Sequence, residues 1–243
     1  AGLTMLAIAD HALDWAPDRT KKKPAPRRLA DERDRTWMND LVAYFENCQS
    51  ATGAWRYGEA QMYGRVPRNT DHDHSNTQYA AQGLRAASLL GCEVKTDTWV
   101  RLAQHLVDGQ EADGPPVRLD PRLAKGQTGA GIAAKARGWG YYAIAHGLTR
   151  GGGADRGDRI EIYGSMTAGC AASLAIARDE LRGRSRVPAG LAAKADAGVR
   201  DGIAWLAANF SVEDNPRRAG WHLYYLYALE RAGDLSGFEW MGD

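Results

Sequence analysis

Cysteine is scarce and phenylalanine nearly as rare as it can be: three of each in 243 residues. Cys48, Cys92 and Cys170 are odd in number and widely spaced, which matches neither a disulfide framework nor a Cys-x-x-Cys zinc knuckle. We read them as free, mostly buried thiols. Charge of one sign is also lacking: 31 basic against 30 acidic residues leave a net +1, so no field points toward nucleic acid or an anionic membrane. No run approaches the roughly 20 apolar residues that span a bilayer, and no n-region followed by an h-region opens the chain. Nothing in the sequence therefore suggests an integral membrane protein, and the compartment is left open. Strand signals are few. What is present is an ordinary globular composition, 44% hydrophobic, with length for one large domain or two small ones.

Two stretches stand apart from that pattern. Lys21 to Arg28 is the one basic cluster, and its prolines mark an exposed linker. Ala1 to Ala9 reads as helix interior with no cap before it, so we expect the natural chain to begin upstream.

Helical periodicity dominates the rest. Two kinds of helix alternate. Small and apolar residues fill Ala1 to Leu13, Ser75 to Leu90, Ser165 to Leu181 and Trp221 to Leu235. Charged, amphipathic segments cover Asp31 to Cys48, Thr96 to Val107 and Leu191 to Phe210. A helix apolar nearly all round is a buried one, and an amphipathic helix covers it. The small-residue helices share a register set by Leu6, Leu84, Leu174 and Leu229, which makes an internal repeat of helical hairpins. The stretch from 110 to 163 interrupts it with the Gly-rich "GQTGAGIAAKARGWGYY" and "RGGGADRGD". A structureless loop of that length is unusual, so we expect short strands of its own or a functional lid.

The loops after the amphipathic helices carry the most specific signal. Gln49 to Trp55 fits Q-x-x-x-G-x-W, and Gln110 begins a second copy that a displaced Gly138-Trp139 completes. Glutamine at a helix end bonds the loop backbone, glycine takes the left-handed turn, and tryptophan staples the loop to its neighbour.

On these residues the chain resembles the prenyltransferase and squalene oxidase repeat proteins, the superfamily of squalene-hopene cyclases, related terpenoid cyclases and protein prenyltransferase β subunits. The resemblance implies an all-α fold, an α/α toroid of helical hairpins with the substrate pocket at the inner-helix N-terminal ends. About six hairpins close such a ring, and four inner and three outer helices are countable here. Residues 1 to 243 thus read as a single toroid domain or a fragment of a longer one, with a protein partner or self-association implied if the ring is incomplete.

Cyclases of this type protonate an alkene with the middle aspartate of a DxDD motif. Counting from Leu84 places that motif on Asp73, His74, Ser75 and Asn76, which keeps the first aspartate and replaces the donor with serine. Reading Asp71-His72-Asp73-His74 literally makes Asp73 the donor, with Asp71 and His74 beside it. Prenyltransferases hold zinc with aspartate, cysteine and histidine; the same count places His74 and Asn76 on two ligand positions and Trp221 near the third, with His222 one residue off. The ligand set is not matched, so we expect no metal and no cofactor. A set rearranged from Asp73, His74, Cys170 and His222 is less favoured, since a buried small-residue role suits Cys170 better.

The plainer reading of the same residues is helix capping, by Asp73 or Ser75 and similarly by Ser165, at ends that face a shared cavity. Trp221, Tyr224, Tyr225 and Tyr227 read as core or as aromatic faces toward a ligand, while Trp139, Tyr141 and Tyr142 are placed for a pocket mouth. The leading expectation is a protein that binds a hydrophobic, isoprenoid-type small molecule in a central cavity. The alternative is a non-catalytic scaffold for protein interaction. A carbohydrate-active α/α barrel is a third, and needs paired carboxylates that Asp71 and Asp73, on one short loop, do not supply.

Overall fold

The computed structural model describes residues 1–13, 31–56, 73–120, 131–142 and 161–238. Among them are seven helices: α1 (Gly2–Leu13), α2 (Glu32–Cys48), α3 (His74–Leu89), α4 (Thr96–Asp108), α5 (Gly164–Leu181), α6 (Leu191–Ala208) and α7 (His222–Ser236). The mostly helical fold was expected. The stretch from 110 to 163 holds two short strands, β1 (Pro116–Leu119) and β2 (Ile132–Lys135), antiparallel with Pro116 opposite Lys135. Lys21 to Arg28, Asp71 and His72 lie outside the described residues.

Local chemistry explains the helix ends. Asp31 caps α2 by accepting from the amides of Arg33 and Asp34, while Glu32 and Asp34 place negative charge on the first turn. Gly190 enters α6 with φ of 78°, a conformation that costs glycine little.

The small-residue helices follow one another side by side, α1 on α3, α3 on α5 and α5 on α7, while α2, α4 and α6 cover one side of that row. At the centre lies α5, buried along almost its whole length because Gly, Ala and Ser positions let four helices approach it. Trp99, Trp139 and Trp205 fill the layer between row and cover, each at 1% exposure or less. Removing any one of them costs about 3–5 kcal/mol.

Two buried carboxylates fasten the layers. Glu180 of α5 receives Arg85 and Ser88 of α3 and Arg184 beyond its own helix. Asp201 of α6 accepts from the Lys135 amide at 3.0 Å and from Arg137 Nε at 2.9 Å, which pins the β-hairpin to α6. No described helix is long and apolar enough to cross a membrane.

Candidate functional site

The two Gln–Trp loops are built alike. Gln49 Nε2 donates to Gly53 O at 2.9 Å and to Thr98 O of α4 at 3.0 Å. Gln110 Nε2 donates to Arg137 O at 3.0 Å and to Gly198 O of α6 at 3.0 Å. Trp55 Nε1 reaches Phe45 O at 2.8 Å, four residues before its glutamine, and Trp139 Nε1 reaches Leu106 O at 2.8 Å, also four before. Their backbone amides then bond Thr77 Oγ1 on α3 and Thr167 Oγ1 on α5. Each loop thus ties one covering helix to the next and to the start of a helix in the row. The turn glycine is required at Gly53: φ is 97°, and a Cβ there would stand 2.1 Å from Arg101 O.

These staples set the starts of α3 and α5. Asp73 is the N-cap of α3, and its carboxylate accepts from Ser75 Oγ at 2.6 Å, the Asn76 amide at 2.8 Å and Asn76 Nδ2 at 2.7 Å. Both its oxygens are engaged in fixing the helix start. His74 is buried, with Nδ1 2.6 Å from Gly140 O and its ring edge-on to His105 at 5.3 Å. The Tyr141 carbonyl accepts the His74 amide. Ser165 does not cap α5 as expected: the N-cap is Tyr163, with no side-chain cap bond, and Ser165 lies one residue inside the helix, where Asn215 Oδ1 accepts its amide at 2.8 Å.

Several residues read from sequence as ligand contacts are placed otherwise. Trp139 is fully buried rather than at a pocket mouth, because its indole is the staple of the second loop. Trp221 is 70% exposed and His222 bonds Val212 O, so neither joins Asp73. Cys170 is buried on α5, and burial pushes its thiol well up. Among the described residues no three His, Cys, Asp or Glu side chains gather as metal ligands.

Beside Asp73 the structure assembles a set that bridges α3 and α7. Tyr224 Oη donates to Gln78 Oε1 at 2.5 Å, and Tyr227 Oη to Gln82 Oε1 at 2.5 Å. Tyr79 lies between them, its ring nearly parallel to Tyr227 with centroids 6.2 Å apart. Their floor is α5, where Gly169 leaves room for the Gln78 carboxamide: a Cβ there would stand 2.3 Å from Gln78 Oε1 and push that side chain aside. Burial first, then Tyr79, Cys170, Tyr163 and Asp73, raises the Tyr224 phenol far above its ordinary value. Tyr163, whose ring carries the Arg218 guanidinium 4.8 Å above it, is pushed up to about 12 chiefly by burial. Both phenols therefore stay protonated through the neutral range, and that of Tyr224 donates to Gln78.

No family model, curated protein or solved structure matches the chain.

Of the sequence candidates, Asp73, Ser75, Asn76 and Tyr224 stand at or beside this junction. Gln78, Tyr79, Gln82 and Tyr163 do not follow from the motif reading. A signal existed for the glutamines: two carboxamides one turn apart on a helix of small residues are out of keeping with packing alone.

Proposed function

We propose that this chain is an α/α-toroid protein of the terpenoid cyclase and prenyltransferase type, or a part of one. In this reading it holds a hydrophobic, isoprenoid-type ligand against α3, α5 and α7 without protonating it. The twice-repeated Gln–Trp bonding carries the proposal, since it reproduces in three dimensions the motif on which the resemblance rests. The non-protonating part follows from Asp73, whose oxygens accept from Ser75 and Asn76. An acid that protonates an alkene needs clustered carboxyls to hold and strain its proton, and the two motif positions after His74 carry a hydroxyl and an amide.

The test is extraction of lipid from the purified protein, followed by mass spectrometry, and incubation with squalene and with a prenyl diphosphate. Bound isoprenoid with no conversion is the expected result. Turnover that Asp73→Asn abolishes would refute the non-protonating role. A second reading, the protein-interaction scaffold, is favoured by Phe210, Val212, Trp221 and Leu223, exposed by 43%, 52%, 70% and 82% around the start of α7. Protein that carries and binds no lipid would favour it.

A further inference from the structure

The carboxamides at the α3–α7 junction are only half used. With the phenols of Tyr224 and Tyr227 donating to the oxygens, Gln78 Nε2 and Gln82 Nε2 are left buried with no hydrogen-bond partner among the described residues. Gln78 is 1% exposed and Gln82 4%. A buried amide nitrogen without an acceptor is costly, and native proteins rarely keep one without a reason. Two such groups four residues apart share one helix face, about one turn from each other.

We propose that Gln78 and Gln82 donate to the two oxygens of a neutral planar ring with opposed carbonyls, a head group of 1,4-quinone type. Three features select that chemistry. The donors are neutral amides and phenols, and the guanidiniums around them are already held, Arg231 over Tyr227 by Glu230 at 2.6 Å and Arg85 of α3 by Glu180, so an anion has no free cation to meet it. The two carboxamides leave α3 about 6 Å apart along its axis, a spacing comparable to that of oxygens on opposite sides of a six-membered ring. Tyr79 and Tyr227 present nearly parallel aromatic faces beside the amides, a wall for a flat ring. Tyr224 and Tyr227 are half-buried and hold the glutamine oxygens, which leaves the two nitrogens as the free donors. Gly169 of α5, against Gln78, forms the floor. This deepens the ligand reading above and rests on it for the apolar chain that such a head group would carry along the row of helices.

The experiment titrates the whole protein with three probes by ligand-observed NMR: duroquinone, durene with the same outline but no carbonyls, and squalane as a tail alone. Duroquinone should bind wild-type protein at least about tenfold more tightly than durene, and Gln78→Leu and Gln82→Leu should each lose roughly tenfold. Urea midpoints show whether each variant is folded, and the comparison of duroquinone with durene needs no variant at all. Equal binding of duroquinone and durene, no binding of duroquinone, or duroquinone binding that survives both substitutions overturns the proposal. Squalane bound without preference for duroquinone leaves the isoprenoid reading standing and this one refuted. Duroquinone preferred with squalane unbound does the reverse.

Discussion

Gln110→Leu should destabilise the protein by about 2–4 kcal/mol, and Gln49→Leu by about 1 kcal/mol less. Leucine keeps nearly the same volume, so the perturbation is the loss of two hydrogen bonds at each site. Gln110 is 5% exposed, and its removal strands the carbonyl of Arg137, while Gly198 O keeps its bond within α6; a net bond is worth about 0.5–1.5 kcal/mol, and a stranded buried acceptor adds to that. Gln49 makes the same two bonds, but its Oε1 is buried without a hydrogen-bond partner among the described residues. Its substitution therefore removes one unsatisfied atom while creating one, the Gly53 carbonyl, since Thr98 O keeps its bond within α4. Urea unfolding reads the difference: with a slope of roughly 2–3 kcal/mol/M, Gln110→Leu should lower the midpoint by about 1 M at constant slope. The two sites share no hydrogen-bond partner, so the double variant should equal the sum within about 0.5 kcal/mol. A Gln110→Leu cost below about 0.5 kcal/mol, or a larger loss at Gln49, would show that the paired bonds do not hold the hairpins together.

Gly53→Ala should cost upward of about 3 kcal/mol, since both its φ of 97° and the Arg101 carbonyl oppose a side chain, whereas Gly91→Ala, with φ of 82° and open space around it, should cost about 1–2 kcal/mol in the same urea assay. Asp73→Ala should lose about 1–2 kcal/mol as a missing cap, and Asp73→Asn should retain most of that stability and leave ligand binding within about twofold. Stability should fall in alkali. The Tyr163 phenol is pushed up to about 12 in the folded chain against about 10 unfolded, so the unfolded state gives up its proton first. The loss begins near pH 10 and grows to about 2–3 kcal/mol as pH passes 12, and Tyr163→Phe should flatten that part of the urea-midpoint profile.

The helix boundaries were readable because their causes are local. Asp31 and Asp73 cap from within the chain, and small-residue runs at helical spacing declare the buried α3 and α5, whereas α1 and α7, read the same way, leave Leu3 and Leu223 exposed. The expectation for Leu191 to Phe210 overran by two residues because Asn209, not a glycine, ends α6, its Nδ2 folding back to Trp205 O. The strands of the insertion were foreseen as a kind but not as positions, since their pairing is fixed by Asp201 on a helix far along the chain. The Tyr–Gln junction was the least legible. Its bonds join residues about 145 apart, and their meeting depends on Gly169, whose importance shows only when three helices converge. The Trp139 expectation erred for a related reason: position in a long insertion suggested a rim, while its register relative to Gln110 made it a staple.

That second loop behaves like a socket. Gln49 and Trp55 close over five intervening residues, Gln110 and Trp139 over 28, yet the same bonds form. Closing the longer excursion adds only about 1.5 kcal/mol of chain entropy, small beside the bonds that end it. The glutamine and tryptophan thus clamp two stems whatever the length between them, but β1 and β2 are themselves packed on α6 through Leu119, Ala134 and the Lys135–Asp201 bond, so foreign sequence is best accommodated as an insertion between the two strands, with the strands and the helical body kept.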